Sequence, residues 1–184
     1  RARSPLTIGR GLDRRLEVFD VPLRDLERAG HAVNGSVNDA FMAAVVGGLH
    51  RYHVAHGQDP TELRVTMPIS VRRDGDDPGG NRFTPVRFTL PLGIDDPARR
   101  MEAIGEIARR WRREPAVGMT DVLATALAQL PDAVTTSLFG SMLKGVDFMA
   151  TNVPGARHRC WLAGAEVVRL YGFGPTSGSA LNIA

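Results

Sequence analysis

Two hydrophobic periods alternate along this chain and divide it into elements. From Arg14 to Val21, Leu16 and Val18 alternate with Arg15, Glu17 and Phe19, a strand-like run that ends where Pro22 can open a short helix to about Ala29. Gly30 is expected to stop that helix, and Asn34-Gly35 marks a turn. Val37 to about Ala55 then carries apolar residues at Val37, Phe41, Val45, Leu49 and Tyr52, close to a helical period, and predicts a buried helix. Ser36 stands before it with Asp39 three positions on, so the serine can accept from a first-turn amide while the carboxylate answers the Ser36 amide. Gly47 and Gly48 inside the helix cost about 1 kcal/mol each relative to alanine, and predict close packing of another backbone.

Leu63, Val65, Met67, Ile69 and Val71 alternate with Arg64, Thr66, Pro68, Ser70 and Arg72, the period of a strand with one buried face. Pro68 limits it to a bulged or edge-like position. An acidic, glycine-rich loop over 73–80 leads to a second strand, Phe83 to Leu92. Asp95 or Asp96 before Pro97 opens a helix whose apolar face is Met101, Ile104, Ile107, Ala108 and Trp111. Another helix is predicted from near Thr120 through Leu123, Leu127 and Leu130, with Pro131 breaking or kinking it before a helical run to Lys144 and Gly145. Strand signals return at Val146 to Val153, Cys160 to Leu162, Glu166 to Tyr171 and Ala180 to Ala184, with Ala163-Gly164 between the second and third.

This order implies α/β architecture, a mixed sheet packed by helices. Residues 1–13 read as a linker and residues 14–184 as one domain that stops within an apolar strand signal, so the domain is expected to be incomplete at its C-terminal end. A length of 184 residues with 43% hydrophobic and 23% charged residues suits one domain with a real core. No apolar run approaches the ~18 residues of a bilayer span, and the first residues lack the apolar stretch of a signal peptide. The single cysteine, Cys160, excludes an internal disulfide framework, and a cytoplasmic setting is the default expectation.

The net charge of +3 comes from twenty-two arginines and one lysine, Lys144, scattered among nearly as many carboxylates, which argues against nucleic acid as a partner. Arg109, Arg110, Arg112 and Arg113 follow Arg99 and Arg100 on one predicted helix. They form either a solvated face or a surface for anionic lipid head groups or coenzyme A phosphates.

Three chemistries can be weighed on spacing. His50, His53 and His56 recur every three residues, whereas helical zinc sites use histidines four apart, so no metal is expected and these read as solvated or core-edge side chains. His158 and Cys160 share a strand face, but Cys160 reads as a small buried hydrophobe. Gly172 to Gly178 misses the spacing of a phosphate loop, although its small polar residues, Ser177 among them, can line a cleft.

Several short motifs, weak singly, form an ordered set. Ser4-Pro5-Leu6 precedes a charged run, and Val37-Asn38-Asp39-Ala40 opens a helix running to Leu49-His50-Arg51-Tyr52. Met67 to Arg72, Gly80-Asn81-Arg82, Thr151 to Gly155, Leu162-Ala163-Gly164 and Leu181-Asn182-Ile183 follow. In order and spacing, across nearly the whole chain, they resemble the C-terminal domain of the bacterial wax ester synthase/diacylglycerol acyltransferase family.

That resemblance implies one half of a chloramphenicol acetyltransferase-like, coenzyme A-dependent acyltransferase fold, two α/β domains with the active site between them. The implied activity is acyl-CoA-dependent O-acylation of diacylglycerol or a long-chain alcohol, giving triacylglycerol or wax ester in lipid and glycerol metabolism. Acyl-CoA is then a substrate, and no cofactor is implied. The implied partner is an N-terminal domain whose His-His-x-x-x-Asp-Gly motif supplies the general base, a contribution of ~10² to 10⁴ in rate. None of the five histidines here stands in such a motif, so no catalytic residue is expected in this chain and the chain alone is expected to be inactive. Asn38 and Asp39 match the family's Asn-Asp motif and are expected to support the cleft, fix the helix start, or both. Thr151, Asn152 and Ser177 are the expected substrate-side residues. The resemblance leaves room for peripheral association with a membrane or lipid droplet, and the alternative function is a non-catalytic lipid or acyl-CoA binding module.

Overall fold

The computed structural model of the chain describes residues 4–8, 11, 13–70, 83–113, 145–153, 155–156, 158–174 and 178–184. A 3₁₀ turn at Pro5–Thr7 precedes helices α1 (Leu23–His31) and α2 (Val37–Ala55). Strands β1 (Glu62–Ser70) and β2 (Phe83–Pro91) follow, then α3 (Pro97–Arg112), β3 (Phe148–Ala150), β4 (Trp161–Leu162), β5 (Ala165–Glu166) and β6 (Leu181–Ile183). The helices predicted between Thr120 and Gly145 and the loop over 73–80 lie outside the described residues.

Four strands form one mixed sheet in the order β2-β1-β3-β6, with β1 antiparallel to β2 and parallel to β3, and β3 parallel to β6. The alternation read in β1 is the cause of the core. Leu63, Val65 and Met67 stand in register with Leu90, Phe88 and Val86. With Phe148 and Ala150 of β3 they build one apolar layer, against which Met42, Ala43 and Val46 of α2 and Ile104 of α3 pack. Pro68 faces Pro85 across the ladder and lies past the last described β1–β3 pair, Thr66 with Met149. Among the described residues β1 has only one strand beside it at that point, a position where a proline is tolerated.

The helix starts follow their caps. Ser36 Oγ accepts from the Asp39 amide at 3.3 Å, and Asp39 Oδ2 accepts from the Ser36 amide at 2.8 Å, a complete reciprocal box at the predicted residue. Asp96 caps α3 by accepting from the Arg99 amide at 2.8 Å, with Pro97 in the first turn.

Several expectations need correction. Arg14 to Val21 forms no strand and is exposed along its length, with Phe19 at 81% exposure. Gly30 does not stop α1 but lies buried within it, because a Cβ there would meet the Ser36 carbonyl oxygen at 2.6 Å where the chain doubles back into α2. Gly47 admits a side chain and not a backbone: the Arg100 guanidinium lies where its Cβ would project, 2.5 Å from Nη2. Arg100 donates to the carbonyls of Ala43 (3.0 Å) and Ile94 (2.7 Å), so it fastens α3 to α2 and does not belong to a solvated face. The buried stripe of α2 is correspondingly turned about one residue from the stripe read in the sequence. Met42, Ala43 and Val46 are buried, Phe41, Val45 and Leu49 only partly so, and Tyr52 is exposed.

β4 and β5 pair as a hairpin, Trp161 with Glu166 and Leu162 with Ala165. Its two turn residues, Ala163 (φ 49) and Gly164 (φ 84), are both left-handed, as a two-residue turn between twisted strands requires. The second strand is shorter than predicted, and Cys160 beside the hairpin is exposed where burial was expected. No helix among the described residues is long and apolar enough to cross a membrane.

Candidate functional site

The parallel strands β1, β3 and β6 run the same way, and α2 begins where they end. Asn38, in the first turn of α2, directs its amide at the Met67 sulfur of β1 at 3.8 Å. Thr151, the first residue beyond β3, donates its amide to Ile183 O of β6 at 2.9 Å and is half-buried, and Asn152 beside it is exposed. The fold therefore brings Asn38 and Thr151 to the carboxyl end of the parallel strands, the end at which open α/β sheets generally place ligands. Ser177 lies outside the described residues.

Asp39 is 6% exposed and turned into its own helix start. Its Oδ2 accepts from both the amide and the hydroxyl of Ser36 at 2.8 Å, and a Cβ at Gly105 of α3 would stand 3.3 Å from that oxygen. A carboxylate so engaged orders the α2 N-terminus and packs it against α3. Asp39→Ala is expected to lower stability by about 0.5 to 2 kcal/mol through loss of the cap. Unchanged thermal unfolding of the variant would overturn this capping account.

The histidines are placed differently from one another. His50 lies between Asp59 Oδ1 at 3.4 Å and Asp95 Oδ1 at 3.5 Å, tying the loop after α2 to the loop before α3. His56 reaches the Tyr52 carbonyl, lies against the Tyr52 ring and is exposed, as are His31 and His158. His53, read from sequence as a solvated or core-edge side chain, is 1% exposed and belongs to a buried polar cluster. Its Nδ1 is 2.7 Å from the Leu49 carbonyl, which can only accept, so Nδ1 carries the proton in the neutral ring. Nε2 is then the acceptor for the Ser4 hydroxyl at 2.6 Å.

Ser4 is also held by its amide, which donates to Asp147 Oδ1 at 3.2 Å; Thr7 Oγ1 donates to the same oxygen, and the Arg64 amide donates to Oδ2 at 2.8 Å. Sequence reading missed this set, since Ser4 and His53 stand 49 positions apart and Ser4 and Asp147 143 apart. A serine donating to a neutral histidine has the polarity of a nucleophile and its base. At 5% exposure for Ser4 and 1% for His53, however, neither offers the access a substrate needs. The cluster locks the Ser4–Thr7 turn onto the end of α2 and the start of β3.

A second tie joins two exposed segments. The Tyr171 hydroxyl donates to Asp20 at 3.0 Å, and Arg169 Nε lies 3.4 Å from the same carboxylate. The hydrogen bond to Asp20 raises the Tyr171 pKa above its ordinary value, aided by partial desolvation, because the bond is lost with the proton. Leu16, Val18, Phe19 and Val21 on one segment, and Trp161, Leu162, Val168, Leu170 and Phe173 on the other, are all exposed apolar side chains.

The WS/DGAT C-terminal domain family matches residues 79–184. Among the relatives are three Mycobacterium tuberculosis proteins, each provisionally named a diacylglycerol O-acyltransferase. One is 41% identical over 180 residues, covering 98% of this chain and 36% of its own length. Another is 32% identical over 188 residues, covering 97% and 41%, and a third is 27% identical over 178 residues, covering 93% and 38%. This chain thus spans little more than a third of the length of the relative it matches at 41% identity. No solved structure matches it. With its ordered motifs, its mixed α/β sheet and a family match over more than half its length, the chain belongs to the WS/DGAT family, of which it carries the C-terminal domain.

Proposed function

We propose that this chain is the C-terminal half of an acyl-CoA-dependent O-acyltransferase that acylates diacylglycerol or a long-chain alcohol. The catalytic base belongs to a His-bearing N-terminal domain. That base takes the hydroxyl proton of the acceptor, the alkoxide oxygen attacks the thioester carbonyl, and the coenzyme A thiolate leaves to be protonated. This half contributes the wall of the cleft built by Asn38 at the start of α2 and by Thr151 and Asn152 beyond β3, with Asp39 holding the helix start. Its setting is the cytoplasm, at the face of a membrane or lipid droplet that supplies the acceptor.

The observation that carries this reading is the family match, joined to the placement of Asn38 and Thr151 at one end of the sheet. It is tested by thiol release from an acyl-CoA, with and without the His-bearing domain.

The partner domain also accounts for the apolar side chains left exposed on segments 13–22 and 158–174. Single exposed hydrophobes are ordinary, but two adjoining segments of them mark an interaction surface. The remaining length of the relatives supplies an occupant. Alone, this chain is expected to self-associate or to bind a hydrophobic dye, and the joined protein to do neither. A monomeric, dye-silent chain at high concentration would remove this support.

A further inference from the structure

The two exposed segments, 13–22 and 158–174, are joined to each other through one carboxylate. From Arg14 to Val21 no backbone group bonds to another backbone group among the described residues, so neither a ladder nor a helix sets the course of this run. The other segment has a frame of its own, the β4–β5 hairpin, which is extended by the Val167 amide donating to Cys160 O at 2.8 Å. Among the described residues, the polar contacts between the two segments all end on Asp20. The Tyr171 hydroxyl, 151 positions away in sequence, lies 3.0 Å from Oδ1 and 3.2 Å from Oδ2, and Arg169 Nε approaches Oδ2 at 3.4 Å.

Around this tie the surface is apolar and its charges cancel. Phe19, Val168 (89% exposed) and Leu170 (84%) stand almost wholly in solvent. Arg15 pairs with Glu17 at 2.8 Å, Arg159 with Glu166 at 3.6 Å, and Arg169 with Asp20. Asp13 and Arg14 complete a set of four arginines and four carboxylates on the two segments, a formal net charge of zero. An anionic membrane or a nucleic acid gains nothing from such a face, whereas an apolar protein surface does. The tie is also better suited to a covered site than to an open one. In water an exposed ion pair holds little. Under an apolar partner the carboxylate already has a hydroxyl and a guanidinium in place, so no unpaired charge is buried. Two segments already set against each other also need less ordering to dock. We propose that Asp20, Tyr171 and Arg169 staple segments 13–22 and 158–174 into one charge-neutral apolar docking face for the His-bearing N-terminal domain. The identity of that occupant rests on the acyltransfer reading and on a relative of which this chain covers only 36%. The neutral, tied face does not.

The test is calorimetric titration of the His-bearing domain into the wild-type chain, Tyr171→Phe, Asp20→Ala and the double variant. Thermal unfolding of each chain alone and sedimentation with phosphatidylcholine vesicles, with and without phosphatidylglycerol, accompany it. Both residues are exposed, so the isolated variants should unfold as wild type does. Each single variant should weaken association by about tenfold, and the double variant should match Asp20→Ala, because both substitutions break the same tie. Variants that associate as wild type does, losses that multiply in the double variant, or isolated variants that unfold earlier would overturn the staple. A wild-type chain that sediments with vesicles and does not bind the domain would give the face to a lipid surface and overturn it as well. Domain binding that depends on Tyr171, in a joined protein that transfers no acyl group, would keep the docking face and sink the acyltransfer reading. Acyl transfer by the joined protein, with association indifferent to Tyr171 and Asp20, would do the reverse.

Discussion

Assayed for thiol release from palmitoyl-CoA in the presence of a diacylglycerol, this chain is expected to show no turnover above the uncatalysed rate. Supplying the His-bearing domain, covalently or in trans, is expected to restore it. An alcohol at neutral pH is a weak nucleophile, and a positioned base contributes ~10² to 10⁴ in rate, beside the donors that meet the developing oxyanion. The histidines of this chain offer no such base at the carboxyl end of the sheet. His53 gives its Nδ1 proton to the Leu49 carbonyl and takes the Ser4 hydroxyl on Nε2 inside the core, and His50 stands between Asp59 and Asp95. His56 is tied to the Tyr52 carbonyl beyond the other end of α2. His31 and His158 are exposed and lack the residues of the family's motif. The five His→Ala variants of the chain form the control: turnover by the chain alone, abolished by one of them, would place the base here and defeat the proposed division of labour.

The elements that sequence predicted best are those whose cause is local. α2 has its cap, its carboxylate three residues on and its helical period within one stretch of chain, and its bounds fall where Ser36 and the end of the periodicity put them. β1 and the start of α3 follow for the same reason, from strict alternation and from Asp96-Pro97. The run from Arg14 to Val21 has an alternating pattern too, but a strand also needs a partner edge, which no local pattern supplies. Arg100 shows the same limit in a helix. Its neighbours Arg99 and Arg109 are exposed, while its own side chain turns inward because Gly47, more than fifty positions earlier, leaves room for it. Of the site, Asn38 and Asp39 were legible through the helix start and the family's motif. The meeting of Asn38 with Met67 and of Thr151 with Ile183 depends on strand order, which the sequence does not state.

The buried cluster around Asp147 was the least legible part and is where the largest loss of stability is expected. Asp147→Ala should lower stability by about 3 kcal/mol, a fall of about 6 to 12 °C in Tm for a chain of this size. The carboxylate is 2% exposed and accepts from the Ser4 amide, the Thr7 hydroxyl and the Arg64 amide. A buried donor left without its acceptor costs ~1 to 3 kcal/mol. Two effects hold the expected total below the sum of three such costs. Removing the carboxylate relieves the burial of its charge, and the short Ser4–Thr7 turn can lift away and let water reach the freed groups. The Arg64 amide cannot escape in that way, because β1 lies between β2 and β3. Ser4→Ala should cost less, about 1 to 2 kcal/mol, since it takes from His53 only the hydroxyl that faces Nε2. If the lock acts as a unit, the double variant should lose less than the two single losses added, because once the turn has lifted the second contact is already broken. Denaturant unfolding of the four proteins decides this. Additive losses would mean two independent contacts, and an Asp147→Ala chain within about 0.5 kcal/mol of wild type would mean that the turn is not fastened to the domain at all.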